Sequence, residues 1–204
     1  MVISFIVVLL VRHYISVLQQ VNSVRILVVR RLIYVVSMSP PLFLIRLVPD
    51  FHASGIGFLI AALTFCGCIW VNIGGLRMLF DREMAELLGP PEVAPLLVET
   101  GALFVGAIFE ELFYRWYMVK ALLSWLGPAV TVFVSTGAFI LHHIVHPKAA
   151  VTFRLRDLVT QALMGGGAAL AVVMGGSVLP ALMAHILFNV LLLGGRYYRL
   201  MTVE

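Results

Sequence analysis

Two adjacent carboxylates and a guanidinium stand inside an apolar stretch, Phe109-Glu110-Glu111-Leu112-Phe113-Tyr114-Arg115, followed by His142-His143 and then by His185 and Asn189. Ionisable groups are expensive at membrane depth, so such residues mark a functional site by default. On a helix Glu110 and Tyr114 share one face while Glu111 and Arg115 share the adjacent one. Glu111 therefore has a cationic partner in its own helix, and Glu110 is the carboxylate freer to do chemistry. His185 and Asn189 lie four apart and aim at a single point. Each unpaired polar group in lipid costs several kcal/mol, which favours convergence of the three polar helices on one another.

The residue types fit one reaction. A buried carboxylate whose pKa is raised can act as a general base near neutral pH, with a neighbouring imidazole sharing its water. A second imidazole and an amide can stabilise a developing oxyanion. Together they describe hydrolysis of an acyl bond by activated water, with no covalent nucleophile. A zinc hydrolase is an alternative, because His142, His143, His146, His185 and Glu110 are all able to ligate a metal. Against it, the chain has no His-Glu-x-x-His, and Asn189 and Arg115 are poor company for a cation. A serine mechanism is weaker: there is no Gly-x-Ser-x-Gly, and Ser124, Ser135 and Ser177 have no adjacent base in sequence. The non-enzymatic alternative is a membrane scaffold or bacteriocin-immunity protein that keeps its polar core for packing or partner binding. No cofactor and no metal are expected.

The elements that must hold these residues are membrane helices. Of 204 residues, 62% are hydrophobic and 12% charged, and the mean hydropathy is +1.06; soluble domains carry roughly 25% charged residues. The net charge of +4 comes without a basic stripe interleaved with aromatics, so nucleic acid is not an expected partner, and the basicity reads as topology. Cys66 and Cys68 point away from each other on a helix and read as buried packing residues.

The fold expected is all-α and polytopic, with about seven transmembrane helices and a four-helix catalytic core. The first helix runs from Met1 to about Val21, a basic cluster follows at Arg25, Arg30 and Arg31, and Leu32–Val48 is a second span broken at Pro40-Pro41. Ser54 to about Leu76 is the clearest span, of the roughly 20 residues that a bilayer needs. Arg77–Glu92 reads as an interfacial helix and connector, with Glu83 and Glu86 solvated. A long helix from about Ala94 to Trp125 carries Glu110, and Gly127-Pro128 turns the chain into Ala129–His146. Asp157 then caps Leu158–Met174, where Gly165-Gly166-Gly167 predicts tight packing; Val178–Leu193 carries His185 and Asn189. Residues 1–92 thus form N-terminal helices and a connector, and 93–204 the core. Nearly all Lys and Arg fall on one side of these spans, with Arg46 and Lys120 on the other, which places the C-terminus in the cytoplasm.

Glu110-Glu111-x-x-x-Arg115, Phe139-x-x-x-His143 and His185-x-x-x-Asn189, in this order on successive intramembrane segments, resemble the CPBP family. This is the CAAX-protease and bacteriocin-processing (Abi) group, which contains the type II CAAX prenyl endopeptidases. The resemblance covers about residues 95–195. It implies a glutamate-dependent intramembrane protease without metal, in which Glu110 and His143 activate the water, His185 and Asn189 form the oxyanion site, and Glu111 and Arg115 support them. His142 and His146 match no motif position and are expected at the membrane interface. The expected partners are membrane lipids and a peptide or protein substrate, with or without an attached lipid. The brevity of the chain suggests a prokaryotic member in the cytoplasmic membrane, by analogy alone.

Overall fold

The structure, a computed structural model, describes residues 2–17, 23–39, 48–145 and 154–203. The expected break at Pro40-Pro41, the outlying Arg46, and His146 with the loop through Lys148 lie outside the described residues. Every regular element among the described residues is helical: α1 (Val2–Val17), α2 (Val24–Met38), α3 (Gly55–Leu79), α4 (Arg82–Leu88), α5 (Val93–Glu110), a π-helical segment (Glu111–Met118), α6 (Val119–Ile144), α7 (Leu155–Gly175) and α8 (Leu179–Thr202).

Four helical stretches among the described residues are long and apolar enough to cross a membrane: α3, the 52-residue run Val93–Ile144, α7 and α8. The long run is broken where expected. Gly127 adopts φ 69°, which only glycine takes without strain, and Pro128 has no N–H to continue the ladder. α1 and α2, at 16 and 15 residues, are shorter than a full span. Trp70, Trp125 and Phe133 face outward with most of their surface uncovered, as side chains of a lipid-facing wall do.

Several boundaries differ from the sequence expectation. Arg25, Arg30 and Arg31 lie inside α2 rather than between helices; arginine is a good helix former, because its straight side chain loses little rotamer freedom there. Asp157 is not the N-cap of α7 but its third residue: Arg154 is the cap, and Asp157 Oδ2 accepts the Arg154 N–H at 2.9 Å. α8 continues to Thr202, so Arg196 and Arg199 are helical. Cys68 is buried as expected, but Cys66 is exposed on the outer face of α3, as two residues only two apart on a helix must diverge. Glu86 is not merely solvated; it pairs with Arg82 at 2.8 Å.

α7 is the hub, packing on α3, α6, α8 and the π segment. Its glycines permit this, since small residues let helix backbones approach where no hydrophobic force drives them together. Gly165 faces Phe139 and Thr136, and Gly167 faces Thr64 so closely that a Cβ would overlap that side chain. Asn72 adds a polar clamp between α3 and α7, donating to Thr160 Oγ1 at 2.7 Å. Residues 48–54 strap the α7–α8 turn: the Asp50 carbonyl accepts from Val178 N at 2.9 Å and from Ser177 Oγ at 3.1 Å. Hydrogen bonds from the His52 backbone and ring hold the Asp50 carboxyl below its usual pKa. Gly167→Ala is expected to cost about 1–3 kcal/mol through overpacking, read as a lower thermal midpoint in detergent. Thr64→Ala added to it should restore most of the loss, and an unchanged midpoint in the single variant would contradict this packing.

Candidate active site

Glu110 ends α5 and Glu111 opens the π segment. π-helical turns are rare and concentrate at functional sites. Here the wider turn brings an unbroken run, Phe113–Met118, into the interior together with Glu111. Tyr114 and Phe113 pack with Phe139 of α6 and Tyr34 of α2 in one apolar cluster, so the polar groups sit on a rigid wall.

Glu111 and Arg115 are fully buried, whereas Glu110, His185 and Asn189 each keep 8% of their surface. That difference separates a structural pair from groups that a substrate or water can reach. Glu111 Oε2 lies 3.5 Å from Arg115 Nε, the in-helix pair expected from spacing. Its other oxygen, Oε1, accepts from His185 Nδ1 at 2.8 Å. The Arg115 guanidinium is also stacked on the Phe139 ring, 4.0 Å from its centroid, a contact that favours a desolvated cation. Glu111 therefore does more than neutralise Arg115: it fixes the direction of the His185 ring.

Glu110 Oε1 accepts the Tyr34 hydroxyl at 2.5 Å, and that hydroxyl in turn meets His142 Nε2 at 2.6 Å. Glu110 Oε2 lies 4.0 Å from His185 Nε2. His143 uses Nδ1 on the Phe139 carbonyl of the preceding turn, at 2.9 Å, which directs Nε2 away from the backbone. Asn189 Nδ2 donates to the Leu103 carbonyl at 3.4 Å, a long bond that leaves its second N–H free for other acceptors. Glu110, His143, His185 and Asn189 all line one cavity of about 190 Å³. His185, less than two turns from the start of α8, and His143, at the end of α6, border this same cavity.

Three features of the site escaped the sequence. Tyr34 stands in an ordinary apolar run, Leu32-Ile33-Tyr34-Val35-Val36, with nothing to single it out. His142 is wholly buried against Tyr34 and Tyr114 rather than at the interface, because the helix that aims His143 into the cavity turns its neighbour toward α2. Arg12 and Arg31, which read as topological markers, line the same cavity. Among the described residues no group of three or more His, Cys, Asp or Glu is arranged to hold a metal ion.

Removing the Glu111 charge should be felt in folding before it is felt in chemistry. Glu111→Gln leaves Arg115 buried without a counter-charge, a change that costs about 3–5 kcal/mol. It should lower the thermal midpoint in detergent much further than Glu110→Gln does; equal midpoints would refute the structural role.

No curated protein and no solved structure is similar enough to match the chain. Residues 92–191 match the family Type II CAAX prenyl endopeptidase Rce1-like, a stretch that holds every motif position from Glu110 to Asn189. Through these residues the chain is similar to the Rce1-like family of CAAX proteases, which are peptide hydrolases, and its four long apolar helices are those of an integral membrane protein.

Proposed function

We propose that this protein is a metal-independent, glutamate-type intramembrane endopeptidase that cleaves a peptide bond of a membrane-associated or C-terminally tagged substrate. The observation that carries the reading is the meeting of Glu110, His143, His185 and Asn189 at one cavity, with the 4.0 Å gap between Glu110 Oε2 and His185 Nε2. An oxygen atom in that gap is within hydrogen-bond reach of both groups.

In this mechanism Glu110 takes a proton from a water that His143 Nε2 also holds, and the resulting hydroxide attacks the scissile carbonyl. The Tyr34 hydroxyl fixes one carboxylate oxygen so that the other faces the water. Charge developing on the carbonyl oxygen is met by His185 Nε2 and the unused N–H of Asn189. Donation from Nε2 requires the doubly protonated imidazole, whose charge the Glu111 carboxylate balances at 2.8 Å. Collapse of the tetrahedral intermediate returns the proton held by Glu110 to the leaving amine. Residues 93–204 carry this chemistry, and residues 1–92 complete the cavity wall. The distribution of Lys and Arg supports a cytoplasmic C-terminus.

A substrate library cleaved by detergent-purified protein in the presence of a chelator tests the mechanism. Glu110→Gln should lose about 10²–10⁴-fold in rate, the usual worth of a general base, with its fold intact. Wild-type rates in Glu110→Gln would exclude Glu110 as the base, and activity abolished by the chelator would move the protein to the metal hydrolases.

A further inference from the structure

Tyr34 has one hydroxyl proton and stands between two groups that meet its oxygen at hydrogen-bond distance, Glu110 Oε1 at 2.5 Å and His142 Nε2 at 2.6 Å. With one proton to give, the hydroxyl donates to one of them and accepts from the other. The chain of bonds can therefore run in two directions. In one, His142 Nε2–H donates to Tyr34, which donates to an ionised Glu110. In the other, a protonated Glu110 donates to Tyr34, which donates to a bare Nε2. Only the first leaves Glu110 able to take a proton from water. A separation of 2.5 Å is that of a hydroxyl facing an ionised acceptor, which selects the first direction.

The packing holds every member of this chain. Tyr34 is 6% exposed and His142 is fully covered. Their rings lie 5.4 Å apart, and Tyr114 meets His142 in a T-shaped contact at 5.5 Å. The Arg12 guanidinium lies over the Tyr34 ring, 4.9 Å from its centroid. α2 thus has two sides with different surroundings. Tyr34 reaches inward to Glu110, while Val28, Leu32 and Val35, with Leu97 and Val105 of α5, border an apolar groove of about 260 Å³. Because the Tyr34 hydroxyl occupies Oε1, the oxygen left to act on water is Oε2, 4.0 Å from His185 Nε2.

We propose that Tyr34 and His142 are positioning residues for Glu110: His142 gives its Nε2 proton to the Tyr34 oxygen, which commits the hydroxyl proton to Glu110 Oε1 and leaves Oε2 as the basic atom. Both act through Glu110 and neither touches substrate, and the assignment rests on the peptidase reading of the cavity. Tyr34 lies outside the stretch 92–191 that matches the family, so the N-terminal helices serve the chemistry as well as the cavity wall.

The test uses the full chain in phosphatidylcholine nanodiscs and four variants: Tyr34→Phe, His142→Leu, the two combined, and His142→Gln, whose amide N–H can still donate to the hydroxyl. The first readout needs no substrate. The infrared carboxylate bands of Glu110 are isolated by subtracting the spectrum of the same protein carrying Glu110→Gln. Tyr34→Phe and His142→Leu should shift these bands alike, and His142→Gln should leave them in place. The nitrogen-15 resonance of His142 Nε2, assigned by its loss in His142→Gln, should be that of a protonated nitrogen; it decides the part of His142 even where His142→Leu does not fold. The second readout is kcat and KM on whichever member of a pool of N-palmitoyl hexapeptides the unsubstituted protein cuts fastest. Tyr34→Phe should lower kcat about tenfold, the worth of a hydrogen bond to a charged group, with KM unchanged. The combined variant should lose no more than Tyr34→Phe alone, since His142 acts only through the hydroxyl, and His142→Gln should keep most of the rate. A bare Nε2, Glu110 bands unmoved in Tyr34→Phe, additive losses in the combined variant or a loss carried by KM alone would overturn the proposal. If no peptide is cut while the bands and the resonance are as expected, the peptidase reading falls and the positioning of Glu110 stands.

Discussion

The chain Arg115–Glu111–His185 is the constraint on which the rest of the structure depends. A guanidinium and a carboxylate that are both fully covered can exist inside a membrane protein only if each is matched, because the desolvation of either alone exceeds what the fold can offset. Matching them obliges the π segment, the Phe139 turn of α6 and the His185 turn of α8 to hold fixed positions with respect to one another. The π segment continues directly from Glu110 at the end of α5, and α6 and α8 carry His143 and Asn189, so the same contacts hold all three residues at the cavity. The ion pair that stabilises the interior is therefore also what aligns the polar groups at the cavity, as expected of a site whose supporting contacts lock its geometry.

Around that centre the helices are held by close approach more than by bulk. Gly167 admits Thr64, Gly195 admits Leu79, and Gly57 meets Pro180 at the start of α8. These contacts seat α3 against α7 and α8, so the helix that carries His185 and Asn189 is clamped by an element that supplies no residue to the chemistry. The strap at Asp50 fixes the turn from which α8 starts. Small displacements of α8 would change the 4.0 Å separation between Glu110 and His185, and the packing resists them at both ends of the helix.

Much of this was legible in the sequence, and for physical reasons. Membrane spans announce themselves by length and hydropathy, Gly127-Pro128 by its backbone chemistry, and the motif residues by the high cost of charge in lipid. The Glu111–Arg115 pair followed from helical spacing alone, because four residues still bring the two side chains together across the wider π turn. What could not be read were the partners that distant helices supply from outside the motifs. Tyr34 reaches Glu110 across 76 positions of sequence, and a tyrosine in an apolar run is no different in sequence from one that merely packs. His142 differs from His143 only in which way its helix faces. Arg12 and Arg31 obeyed the charge rule for loops closely enough to conceal that they sit in helices beside the cavity.

The groove between α2 and α5 has a consequence for how a substrate arrives. Its rim residues Val28, Leu32, Leu97 and Val105 are exposed, so in a bilayer the groove opens sideways, toward acyl chains. On the peptidase reading proposed above, a polypeptide tail entering there would stay in the lipid phase, and its encounter with Glu110 would be a search in two dimensions. Turnover would then be governed by the number of substrate molecules per unit area of membrane and by how fast they diffuse laterally, and the bulk concentration in the aqueous compartment would matter only through partitioning into the sheet.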